Sequence, residues 1–312
     1  MNDNFNPLKQ HVFLINWLTL IFILVVAMII IGGITRITDS GLSMVEWRPI
    51  LGFLPPLNHQ EWERVFDLYK NTPEYTYYNK GMLLSDFKFI FFWEYFHRLW
   101  GRIIGIVFIL PFIYLIVTKK IDKFITKRLL IILFFGSLQA FIGWWMVKSG
   151  LIDKPDVSQY RLAIHFGNSL LILFLLFWLI LDLKNKKSRI KFDLNLIIFF
   201  IIFITIIAGS LVAGMDAGLM YNTYPLMNDS FFPSDYLSLG VLDPFENPGS
   251  AQFHHRHLGF ISLVAIGIFF AKNFYHKKVF IELIFLIAFI IVQFVLGVYI
   301  LLNYVPNLNA SL

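Results

Sequence analysis

Seven stretches along the chain are almost without polar interruption, near residues 12–34, 89–117, 127–147, 160–182, 194–214, 252–271 and 279–302. Each is long enough to cross roughly 30 Å of hydrocarbon as a helix of about 20 residues. Helices satisfy their own backbone polar groups, as a segment in lipid must. The pattern therefore predicts an all-α, polytopic membrane protein with seven spans. The first apolar run is too long for the core of a signal peptide, and no small-x-small site follows it, so it reads as a retained span.

Charge changes the picture by setting topology. The 118–128 segment TKKIDKFITKR carries five Lys and Arg, the 183–191 segment LKNKKSRIK five, and 272–278 three. The long loop from Met215 to Phe253 carries none, and the six basic residues of Thr35–Lys88 are offset by seven acidic ones. By the positive-inside tendency the N-terminus is cytoplasmic and both long loops face outward. The net charge of +6 is thus a topological signal, and a nucleic-acid partner is not expected. Composition agrees: 58% of residues are hydrophobic and only 15% charged, where a soluble domain carries about a quarter. The bilayer is part of the solvent. Absence of cysteine excludes disulfides, thiolate metal sites and C-x-x-C-H heme attachment.

The chain repeats itself. GGITRITDSGLSMVEWRP (32–49) resembles GSLVAGMDAGLMYNTYP (209–225), with Gly32, Asp39 and Gly41 falling on Gly209, Asp216 and Gly218 at a constant offset of 177. EYFHRLWGR, in the second span, matches QFHHRHLGF in the sixth, and QAFIGWWMV in the third matches QFVLGVYIL in the seventh. Both copies run in the same direction, which predicts two pseudo-symmetric four-helix bundles, 1–190 and 191–312. The second is incomplete. Its symmetry predicts an eighth helix, and the chain ends at VPNLNASL where that helix would begin.

Three histidines sit at similar depth in even-numbered spans: His97, His165 and His255. Imidazoles on facing helices of a bundle are what axial heme ligation requires. His97 and His165 would clamp one heme, and His255 would give half a clamp in the second bundle. The bland reading is that each is a satisfied interhelical hydrogen-bonding group. Glu94 lies on the face of His97 one turn away, and its repeat counterpart is Gln252. Either it does chemistry at one heme only, or it simply pairs with Arg98. Arg98, Arg102 and Arg256 would bind heme propionates or snorkel to the interface. The Asp-x-Gly turns shape the chain as it leaves each helix.

The segments GGITRITDSGLSMVEWRPILGFLPPL, FKFIFFWEYFHRLWGR, RLAIHFGNS and HHRHLGF resemble the heme A synthase family in its alphaproteobacterial and mitochondrial form. The resemblance covers essentially the whole chain. It implies oxidation of the C8 methyl of heme O to a formyl group, giving heme A for cytochrome c oxidase, with oxygen drawn from water. It also implies heme O between His97 and His165 in the N-terminal bundle, a heme b cofactor on His255 in the C-terminal one, and Glu94 as catalytic carboxylate. A bacterial inner membrane location follows, with heme O synthase and cytochrome c oxidase assembly factors as possible partners alongside membrane lipid. In that family the eighth helix brings the second heme b ligand, so the expectation for this chain is weakened or no turnover. The rival readings are a diheme b-type electron-transfer protein, an inactive remnant and a transporter.

Overall fold

The computed structural model describes residues 7–48, 51–151, 155–184, 192–277 and 280–304. Ten α-helices account for most of them: α1 Pro7–Ile37, α2 His59–Lys70, α3 Pro73–Tyr77, α4 Leu84–Val117, α5 Lys123–Gly150, α6 Gln159–Leu183, α7 Leu194–Gly214, α8 Asp243–Glu246, α9 Pro248–Tyr275 and α10 Ile281–Leu302. Among the described residues there is no strand, only an isolated bridge between Met227 and Ser230. Seven helices (α1, α4, α5, α6, α7, α9 and α10) are long and apolar enough to cross a membrane, and they coincide with the seven apolar stretches. The chain is a multi-pass, all-α membrane protein. Several helices run past the apolar run itself: α4 begins at Leu84 and α9 at Pro248. The end of the chain, 305–312, where the eighth helix was expected to begin, lies outside the described residues.

The chain resolves into two compact units, residues 1–157 with 164–188, and residues 158–163 with 189–312. In the first, Leu18, Ile21, Phe112, Leu115, Leu129 and Leu176 form a buried core between α1, α4, α5 and α6. A second core of Phe66, Tyr69, Phe87, Ile90 and Phe91 joins α2 to the start of α4. Lipid offers helices no hydrophobic reason to associate, so hydrogen bonds and close packing must specify the contacts. Two indoles do this along α1 and α4: Trp17 donates to the carbonyl of Val107 at 2.8 Å, and Trp100 to that of Leu24 at 2.9 Å. Helices α5 and α6 are tied by Arg128 to Asp182 at 2.8 Å, with the guanidinium also over the rings of Phe124 and Trp178.

The loops leaving α1 and α7 begin alike. Asp39 has φ +48° and Asp216 φ +49°, the left-handed region that Asp tolerates better than most residues. In the second unit the long loop closes on Asp243, which is fully buried. Its carboxylate accepts from the backbone N–H groups of Leu237 at 2.9 Å and Leu239 at 3.2 Å, and from Asn247 Nδ2 at 3.2 Å. Burial by itself would raise this carboxyl's pKa, but the surrounding donors outweigh it and hold the group below its ordinary value. Stability from Asp243 is therefore present above the unfolded value of 3.8 and lost as pH falls through the lower folded one. Asp243→Asn puts an amide donor among donors. It is expected to cost about 1–3 kcal/mol locally, measured as faster limited proteolysis between residues 220 and 247 with the helices intact.

Candidate functional site

The N-terminal half of α4 carries the charged residues, and the structure shows what they touch. Glu94 is 3% exposed. Its Oε2 accepts from Ser43 Oγ at 2.7 Å and from the backbone N–H of Met44 at 2.6 Å, and its Oε1 accepts from Arg98 Nη2. The two charged partners lie one turn apart on α4, so the helix itself sets their register. Arg98 goes on to donate to the carbonyls of Met44 at 3.0 Å and Glu46 at 3.3 Å, and stacks over Trp47. The carboxylate–guanidinium pair thus holds the turn at residues 40–46 against α4.

The second unit uses the same positions differently. Gln252 donates to the carbonyls of Gly218 and Tyr221, both at 3.1 Å. Arg256 donates to Tyr221 and, at 2.9 Å, to Thr223. Here the groups held are carbonyls, and Gln252 Oε1 is buried without a hydrogen-bond partner. Arg98 and Arg256 each fasten the loop that follows the first helix of their own unit. Arg102 likewise donates to the carbonyl of Arg48 at 2.9 Å.

Each histidine picked from the sequence lies against a glycine of a neighbouring helix. A Cβ added to Gly32 on α1 would stand 3.3 Å from His97 Nε2, and one on Gly143 of α5 would stand 3.1 Å from His165 Cε1. On Gly209 of α7 it would stand 2.8 Å from His255 Cε1. His97 and His165 share the first unit and lie within electrostatic reach of each other. His255 is in the second. Its Nδ1 faces the carbonyl of Thr205 at 3.1 Å, an acceptor that places the ring proton on Nδ1 and leaves the Nε2 lone pair free. That is the tautomer an iron ligand needs, with the second partner that fixes ring orientation. The residues present fit an axial heme ligand at His255.

Sequence reasoning missed the residues that hold the histidines. Gln139 lies against the ring of His165, 3.3 Å from Nδ1 and 3.2 Å from Nε2, and donates to its backbone carbonyl at 3.0 Å. Asn168 fixes that amide by donating to Gln139 Oε1 at 2.6 Å. The signal was present: Gln139 recurs as Gln293 in the repeat, and Asn168 is one helical turn from His165. His254 and His257 do not join His255. His254 rests against the ring of Tyr236, and His257 faces the carbonyl of Phe253 at 2.8 Å.

Comparison with known proteins gives the family. The family model COX15-CtaA, described as cytochrome oxidase assembly protein, matches residues 15–312. A protein of Nitrosospira multiformis called heme A synthase is 43% identical over 82% of this chain and 75% of its own length. Proteins of the same name from Wolbachia pipientis wMel and from Wolbachia sp. subsp. Brugia malayi are 43% and 42% identical, over 93% and 96% of this chain and 84% and 90% of theirs. No solved structure matches the chain. With a family model spanning nearly all of its length, the chain belongs to the COX15-CtaA family of cytochrome oxidase assembly proteins.

Proposed function

We propose that this chain is the oxidoreductase that converts heme O to heme A, oxidising the C8 methyl to a formyl group, and that its two units divide the work. The observation that carries the division is the substitution of Gln252 for Glu94 at equivalent places in otherwise similar sites. His97 and His165 flank the substrate, heme O, in the first unit. His255 holds heme b in the second, which when bound takes up and passes on electrons. A carboxylate with its oxygens already occupied by Arg98, Ser43 and Met44 is poorly placed to remove a proton. It is well placed to stabilise positive charge developing at the methyl carbon. Gly32 and Gly143 let the two imidazoles lie close to the neighbouring backbones, and Gln139 orients His165.

By its charge pattern the N-terminus faces the cytoplasm and the Glu94 site the outer side of a bacterial inner membrane. Heme O comes from a membrane prenyl-transfer enzyme, so direct handover from that enzyme and delivery toward oxidase assembly are the partnerships we propose. The test is an acid–acetone heme extract, separated by chromatography and identified by mass, from membranes of cells making heme O. Heme A or its alcohol precursor is expected only when the chain is present. Hemes B and O alone would overturn the assignment.

A further inference from the structure

Beyond the histidine site, the outer loop of the first unit buries a second carboxylate that neither packing nor ion pairing explains. Glu74, on α3, is 6% exposed, and its Oε2 has no hydrogen-bond partner. Its carboxyl is hydrogen-bonded to Tyr69 on α2, a phenol with 0% exposure whose hydroxyl also accepts from Asn79 Nδ2 at 2.7 Å. The charged groups near enough to act on Glu74 are Glu94 of α4 and Asp39 of the turn after α1, both acidic. A buried acid with two acidic neighbours is unfavourable for folding, and groups perturbed in this way cluster at functional sites. Glu94, which acts electrostatically on both Glu74 and Tyr69, also holds the turn after α1, where Ser43 bonds to Glu94 and to the carbonyl of Ser40. Ser40 and Ser43 are 0% and 1% exposed.

Balanced as a half-reaction, R–CH3 plus H2O gives R–CH2OH, two electrons and two protons. The redox cofactor takes the electrons, and the protons need an acceptor near the methyl that is not already saturated. We infer that Glu74, with Tyr69, is the proton acceptor of the oxidation and passes each proton outward to the aqueous face. The inference rests on the reading of the first unit as the oxidation site. The state of the carboxyl suits the role. Burial raises its pKa, the Tyr69 hydrogen bond pulls it down, and Glu94 and Asp39 push it up again, leaving it at about 7. It can take a proton from the site and release it at neutral pH.

The experiment follows heme A formation against pH in membranes containing the full chain and supplied with heme O, for wild type, Glu74→Gln and Glu74→Asp. Wild-type rate should rise through about pH 7 as Glu74 becomes free to accept. Glu74→Gln should lower kcat about ten- to a hundredfold, leave KM for heme O unchanged and abolish that limb, with Glu74→Asp restoring part of both. Infrared difference spectra give a readout independent of turnover: a protonated-carboxyl band titrating near pH 7, absent from Glu74→Gln. If that variant does not accumulate, Tyr69→Phe decides, because removing the hydroxyl should move the limb to higher pH, and an unmoved limb overturns the inference. So does a Glu74→Gln enzyme with the wild-type profile, or one whose loss of rate matches a loss of bound heme. Wild-type membranes that make no heme A, yet show the infrared band, would fault the reading of the site and not the titrating carboxyl.

Discussion

Glu94→Gln should reduce heme A formation about a hundred- to a thousandfold, the range for removing one preorganised electrostatic partner of a transition state, while heme O still binds. The substitution keeps the volume and removes the charge. It also puts an NH2 group where Arg98, Ser43 and Met44 all donate, so one contact becomes donor against donor. Arg98, with a side chain only 10% exposed, loses its ion partner, and breaking such a pair costs ~3–5 kcal/mol. Ser43→Ala separates the two effects. It removes one hydrogen bond to the carboxylate and leaves the charge, and should cost less than about tenfold in rate, in keeping with ~1 kcal/mol for one hydrogen bond. Heme A and heme O in membrane extracts are the measurement. Wild-type rates in Glu94→Gln would make the carboxylate a loop fastener only.

Gly209→Ala should strip heme b from the second unit without touching a ligand. The added methyl would stand 2.8 Å from His255 Cε1, closer than carbon atoms approach, and the ring is held by the carbonyl of Thr205, one turn before Gly209 on the same helix. Ring and carbonyl must part, and disturbing the group that orients a metal-bound imidazole weakens binding about 10- to 100-fold. Gly259→Ala is the control, since nothing lies within 4 Å of a Cβ there, although the residue is on α9 with His255. Heme b per polypeptide, measured as the pyridine hemochrome, should fall for the first variant and hold for the second. Full heme content in both would remove His255 from the list of ligands.

The seven spans were legible because each is a local property: twenty apolar residues in a row can do little else in water and lipid. The duplicated turns were legible for the same reason, and the structure gives Asp39 and Asp216 nearly the same left-handed φ. What was not legible joins residues far apart. The partners of Arg98 could not be read, because nothing near it in sequence says that the carbonyls of Met44 and Glu46 lie within reach. The same holds for Tyr69, buried against Phe87 of α4.

One omission had a local signal. The Thr35–Lys88 segment reads as a loop by charge, yet Trp62, Val65, Phe66 and Tyr69 recur at helical spacing, and α2 turns that face onto Phe87 and Phe91. Asn58 caps the helix by accepting from the N–H of Glu61 at 2.9 Å. In a chain so rich in apolar runs, twelve amphipathic residues are easily taken for a connector.

The indole bonds of Trp17 and Trp100 have a mechanical consequence. They stitch α1 to α4 at two levels, as Arg128 and the Gln139–Asn168 amides stitch α5 to α6. The first unit is thus two stiff leaves rather than four equal staves. If heme O lies between His97 of α4 and His165 of α6, as proposed, a flat macrocycle with a long isoprenoid tail would enter along the seam between the two leaves, as at the spine of a book.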